Sequence, residues 1–292
     1  MSRRLASALV LFVAIGIVAG ACGGGGGDKK DATKVATNVG ASGTASSTGE
    51  TPEPTAGTPS NGSSDAQAIE AVVRAQTNAN NNKDVDGFMA AFADSYYDDL
   101  GVSRDDARSL VATFIGVPQV EITNISAIEV SGDDATAQVD SNEGVFLSSE
   151  KYSFAREVGR WRIAKIEELP VQADTANAVD MDLVEYSFLF DESAAQDGDV
   201  VFYVANSGAQ PHEIELMKLP DGVNAQDLRD REDVPAGVQT LGLFGPLDPG
   251  ESRVLALASK LDAGRYALVC YLSDPSGQSH AALGMVKDLT VS

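Results

Sequence analysis

Gly264-Arg265-Tyr266-Ala267-Leu268-Val269-Cys270, followed across nine residues by His280-Ala281-Ala282-Leu283-Gly284-Met285, decides the reading of this chain. Tyr266 and Leu268 share the parity of Cys270, while Ala267, Val269 and Tyr271 are apolar on the other parity. That is a strand covered on both faces, and parity alone does not place Cys270. Outward from it, strands are predicted over 179–188, 199–205, 212–216, 252–259, 266–272 and 285–291. Turn clusters lie between them at Asn206-Ser207-Gly208, Asp248-Pro249-Gly250 and Asp262-Ala263-Gly264. The expectation for 171–292 is an all-β Greek-key sandwich, broken by a charged insertion over 221–234 with room for a short helix.

The scarce residues fall in this span. The chain of 292 residues has only 2 His and 2 Cys. Both histidines, His212 and His280, and the non-terminal cysteine, Cys270, lie here, with Met285 five residues beyond the second His. Two imidazoles, a thiolate and a thioether suit copper: a soft thiolate disfavours magnesium or calcium, and two His, one Cys and a weak axial Met are a blue-copper ligand set. In His212-Glu213-Ile214-Glu215-Leu216 the acidic residues alternate with apolar ones, which puts His212 on the inward face with Ile214 and Leu216.

Four further features carry a resemblance: Asn206 followed by four residues and then Pro211-His212, Pro249-Gly250 before a strand, Gly264-Arg265-Tyr266 leading into Cys270, and His280 running to Gly284-Met285. Together they resemble the plastocyanin-like cupredoxins over 178–291. The resemblance implies one type 1 copper with His212, Cys270 and His280 as equatorial ligands and Met285 as the axial one, serving one-electron transfer. Two departures stand out. The Cys270-to-His280 loop is seven residues longer than in plastocyanin, which implies looser closure. Glu213 stands where plastocyanin has an Asn that steadies the ligand loop. Copper handling without electron transfer, and a metal-free ligand-binding or scaffold role, are the alternatives.

Residues 66–170 read as α+β. Helices are predicted over 66–80 with Asp65 as N-cap, over 85–93, and over 105–115 with Ser103 as N-cap. Strands follow over 120–130, 135–139, 145–154 and 161–166. Helices first and an antiparallel sheet after is an α+β order. With Phe88 and Phe92 in the second helix and Gly159-Arg160-Trp161-Arg162-Ile163 opening the last strand, the span resembles the SnoaL-like or ketosteroid-isomerase-like cone. That resemblance implies a small ligand held in the cone. Asp94, Tyr96 and Tyr97 are its clustered polar candidates, but Phe88, Phe92, Tyr96 and Trp161 read more simply as core, and no catalysis is assigned.

At the amino terminus, Arg3-Arg4, an uncharged run to Ala21 and then Cys22 follow the order of a secretory signal. A cysteine in the first mature position resembles the bacterial lipoprotein signal, which implies a signal peptide over 1–21, lipidation of Cys22 and an extracytoplasmic protein held to the cell membrane. An uncleaved signal anchor is the alternative. Residues 22–65, rich in Gly, Ser, Thr and Pro, read as a disordered tether.

Charge narrows the function classes. With 21 Lys and Arg against 43 Asp and Glu, the net charge of -22 argues against nucleic acid. Residues 171–292 carry 20 acidic and 7 basic residues, so a redox partner docking there would present a basic face. A second copper centre needs further histidines that the chain lacks, so an electron carrier or binding protein is expected rather than an enzyme.

Overall fold

The computed structural model describes residues 62–292. The expected signal peptide (1–21), Cys22 and nearly all of the tether lie outside the described residues. The tether boundary moves, because Gly62–Asp65 already form the first turn of a helix.

That helix, α1 (Gly62–Asn81), is followed by α2 (Val85–Ala90), α3 (Asp94–Leu100) and α4 (Arg104–Phe114). Ser103 caps α4 by accepting the Asp106 N–H, as its position before two first-turn aspartates implies. Asp65 is not a cap. Its carboxylate sits inside α1 and receives Arg156 Nη2 at 2.8 Å and Trp161 Nε1 at 3.2 Å, which ties the helix to the sheet. The predicted helix over 85–93 ends at Ala90, because the backbone of Ala91 and Ala93 exchanges hydrogen bonds with Ile163. Beyond that break α3 starts unannounced, with Ala93 giving no side-chain cap.

Four strands follow in meander order: β1 (Val120–Ser131), β2 (Asp134–Glu143), β3 (Phe146–Glu157) and β4 (Arg160–Glu168). All pairs are antiparallel. The helices cover one face of the sheet, and Ile69, Phe88, Phe92, Tyr96, Val139, Phe154, Trp161 and Ile163 share one apolar core. This half is α+β as expected.

The remaining strands form two four-stranded sheets. One has the order β10 (Ser252–Ala256), β7 (Val201–Asn206), β5 (Val179–Val184), β6 (Ser187–Leu189). The other has the order β12 (Val286–Val291), β11 (Gly264–Val269), β8 (His212–Leu219), β9 (Gln239–Leu247). The predicted strand over 179–188 is really the hairpin β5–β6, turning at Glu185-Tyr186. β5 and β7 run parallel, so the first sheet is mixed rather than purely antiparallel. Met181, Leu183, Phe202 and Val204 from one sheet meet Ile214, Leu216, Leu268 and Leu289 from the other in a common core.

The second sheet is covered on its outer face too. The 221–234 insertion forms two 3-10 turns, Ala225–Leu228 and Arg231–Asp233, and Leu228 packs with Met217, Ala267, Val269 and Tyr271. The both-face apolar pattern of β11 therefore has two destinations: Tyr266, Leu268 and Cys270 face the inter-sheet core, and Ala267, Val269 and Tyr271 face the insertion.

Candidate metal centre

His212 opens β8, Cys270 follows the last residue of β11, and His280 begins a single helical turn, α5 (His280–Leu283), which leads to Met285 and β12. The strands bring all three to one end of the inter-sheet core. One donor atom from each of His212, Cys270 and His280 lies within 4.8 Å of the others, and all three residues are buried. The two Nδ1 atoms are 3.1 Å apart and Cys270 Sγ is 3.4 Å from His280 Nδ1. Met285 is fully buried in the same apolar cluster as Cys270. Its backbone ties it to both neighbours, since the Cys270 N–H donates to Met285 O and the Met285 N–H to His280 O.

Local sequence explains each placement. Asn206 Nδ2 donates to Gln210 O and Leu247 O at 2.8 Å each, while its Oδ1 accepts the Gly208 N–H, so one side chain shapes the turn that delivers His212. Gly208 is needed there, because a Cβ would stand 2.9 Å from His212 Nε2. Ser279 caps α5 by accepting the Ala282 N–H. His212 Nε2 lies 3.4 Å from Glu185 Oε1, and the Tyr186 ring packs on the His280 ring at 5.1 Å.

The long loop over 271–279 is closed tightly, contrary to the expectation from its length. Asp274 Oδ1 accepts N–H bonds from Ser276 and Gln278, the Asp274 N–H donates to Gln278 O, and the His280 N–H returns to Leu272 O at 2.7 Å. Glu213, at the position of the plastocyanin Asn, is buried. Its Oε1 accepts the N–H of Tyr271 at 3.0 Å, so this glutamate braces the strand end that carries Cys270. Glu215, buried beside it, takes Arg231 and Thr240.

The electrostatics keep the donors neutral in the absence of a cation. Burial, then the neighbouring His212, pushes His280 down to about 4, so its imidazole is unprotonated at neutral pH. Burial also lowers His212, against the pull of Glu185. Burial and then the charge of Glu213 push the Cys270 thiol far above its ordinary range. Two neutral imidazoles and a thiol, dry and convergent, form a donor set that needs a soft cation to draw off the thiol proton. Copper fits that set, whereas calcium or magnesium would require oxygen ligands that it does not contain.

In the α+β half Phe88, Phe92, Tyr96 and Trp161 lie in the core, as their simpler reading has them. Tyr96 and Tyr97 are buried, their rings centred 4.5 and 6.4 Å from that of Phe92 in tilted and edge-on contact, but Asp94 is exposed and paired with Arg104 at 2.6 Å. The three do not form one internal cluster. Tyr97 Oη donates to Met89 O, and Trp161 is engaged by Asp65 and by Arg156 over its ring. The cavity inside this half, bounded by Phe88, Phe92, Glu143 and Tyr152 among others, measures only about 60 Å³. Sequence reasoning missed Glu143 and Glu150, both buried. The signal was the period-two parity that carries Ala135, Ala137 and Val139 inward, since two steps further it reaches Ser141 and Glu143.

No family model matches the chain, and no curated protein matches it. Among solved structures, a candidate dehydratase of the NTF2-like family from Streptomyces avermitilis is 16% identical over 38% of this chain and 99% of its own, with a TM-score of 0.31. NTF2-like proteins of unknown function from Shewanella baltica and Methylobacillus flagellatus are 14% and 20% identical. They cover 38% and 36% of this chain and 97% and 90% of their own, with TM-scores of 0.29 and 0.30. Among the described residues, no helix is long and apolar enough to cross a membrane.

Proposed function

We propose that this chain is an extracytoplasmic, lipid-anchored blue copper protein that transfers single electrons, its 171–292 half being a cupredoxin-like sandwich. The observation that carries the reading is the convergence of His212 Nδ1, His280 Nδ1 and Cys270 Sγ, all buried, with Met285 in the same apolar cluster as Cys270. His212, His280, Cys270 and Met285 would hold the ion. When bound, copper supplies a one-electron couple between its two common oxidation states.

The protein's own contribution is rigidity and exclusion of water. Glu213 fixes the Cys270 end of the loop, Asp274 fixes its middle and the Ser279 cap fixes the His280 end. A donor set held this way reorganises little when its charge changes. The hydrogen-bonded loop favours electron transfer over copper handling, which needs ready exchange. Anchoring through Cys22 would hold the module at the cell membrane. The excess of 20 acidic over 7 basic residues in 171–292 favours a partner with a basic docking face and a salt-sensitive encounter.

The test is titration of the purified chain with Cu(II), followed by visible absorption and electron paramagnetic resonance. The expected result is an intense thiolate-to-copper band with narrow hyperfine splitting at one equivalent, absent in Cys270→Ala. A folded protein that stays colourless, or colour that survives in Cys270→Ala, overturns the assignment. Rapid loss of the metal to a mild competitor would favour handling instead.

A further inference from the structure

The largest cavity among those described is not at the metal centre. It lies between the two halves, measures about 370 Å³ and is lined mostly by apolar side chains, including Phe146, Leu147, Pro170, Leu243 and Phe244. That volume falls in the range of small-molecule sites, roughly 300–1,000 Å³, whereas the 60 Å³ space inside the α+β half does not. Glu143 and Glu150 line both spaces and so stand in the wall between them.

These two carboxyls lack what buried acids ordinarily have. Each is more than nine-tenths buried, and among the described residues neither forms an ion pair. The one cation in the cavity wall, Arg253, is committed elsewhere: to Glu168, to Glu251 and, through its face, to Phe244. Glu143 and Glu150 instead have the hydroxyls of Ser148 and Tyr152 beside them. Next to Glu150, and feeling its charge, is the buried Tyr96 hydroxyl, which has no hydrogen-bond partner. A buried polar group left unsatisfied costs about 1–3 kcal/mol, and two buried acids without a counter-charge cost more still.

We propose that the cavity between the two halves is a binding site for a small hydrophobic amine, whose ammonium group is received by Glu143 and Glu150 and whose apolar body lies against Phe146 and Phe244. Burial, and for Glu150 the neighbouring Glu143, raises both acids, to about 7 for Glu143, as expected of a site short of one positive charge. Beyond the two acids the lining is mostly apolar, which suits the body of an organic cation. The site draws residues from both halves, so neither half alone would contain it, and it is independent of the copper reading.

The test is calorimetric titration of the whole chain with 4-phenylbutylamine and 1-aminoadamantane, each against the alcohol of the same skeleton. The expected result is that at least one amine binds and binds at least about tenfold more tightly than its alcohol, the value of one charge-assisted contact. In Glu143→Gln/Glu150→Gln that preference should vanish while binding of the alcohol persists, which shows the cavity still formed. Cys270→Ala should leave the amine affinity unchanged. Equal affinity for amine and alcohol, binding of neither, or a preference that survives the double substitution overturns the proposal.

Discussion

At the scale of single residues, the candidate metal centre depends on one carboxylate outside the His212, Cys270 and His280 set. Glu213 is buried and gives the Tyr271 N–H its acceptor, so Glu213→Ala strands a buried donor next to Cys270. The expected cost is about 1–3 kcal/mol, most of which Glu213→Gln should avoid because its amide oxygen can still accept. Urea unfolding of the metal-free protein separates the two, and equal stability of both variants would show that the bond contributes nothing. Glu143 and Glu150 act with the opposite sign, on pH rather than geometry. Their folded-state values are raised, so their favourable contribution is complete below the ordinary glutamate value of 4.5 and is lost as pH rises through the raised values, which for Glu143 is about 7. For Glu143 alone the shift is worth on the order of 3 kcal/mol. Between pH 5 and 8 the parent should therefore lose stability relative to Glu143→Gln/Glu150→Gln, and parallel pH profiles would refute the assignment of buried, uncompensated acids.

At the scale of elements, the loop over 271–279 is the piece whose behaviour its length misrepresents. Asp274 acts as its internal staple, so Asp274→Ala should speed amide exchange at Ser276, Gln278 and His280 by about tenfold or more while shifting global stability by only about 1 kcal/mol. Unchanged protection of the His280 amide would mean that the loop is held by something else. The same element shows what was legible in the sequence. That His212, Cys270 and His280 stand out, and most of the strands around them, could be read, because scarcity and alternation are local properties. The closure of the loop could not, because it rests on the particular partners that one aspartate finds. β9 (Gln239–Leu247) escaped notice for a related reason: Gly242, Gly245 and Pro246 interrupt its apolar pattern. Gly242 is explained only by tertiary structure, since a Cβ there would come within 2.7 Å of the Phe146 ring. The burial of Glu213 and Glu215 is not legible either, because nothing local announces that the 221–234 insertion folds back and brings Arg231 to Glu215.

At the scale of the whole molecule, the two halves are joined through the tip of the β2–β3 hairpin rather than only through the chain between them. Phe146 begins a strand of the α+β sheet yet packs in the core of the sandwich. Val145 donates to Leu241 O at 2.9 Å and accepts the N–H of Ala258 at 2.8 Å, which pins the tip between β9 and the segment after β10. Gly144 makes this docking feasible: its φ is +62°, and an added Cβ would lie 1.8 Å from Leu241 O, closer than any packed atoms can stand. A residue with a side chain there must leave the left-handed conformation or push the two halves apart. Gly144→Ala is therefore expected to cost about 2 kcal/mol or more, from the unfavourable backbone and the displaced contact together. Because the strut belongs to both cores, the loss should lower one shared thermal transition, and the parent chain should melt as a single cooperative unit in calorimetry. Phe146→Ala, which opens a cavity in the sandwich by shortening a residue of the other sheet, should do the same at a cost of about 3–5 kcal/mol. Two separate transitions in the parent, with only the α+β one moved by either substitution, would mean that the halves fold independently and that the hairpin tip merely rests on the sandwich.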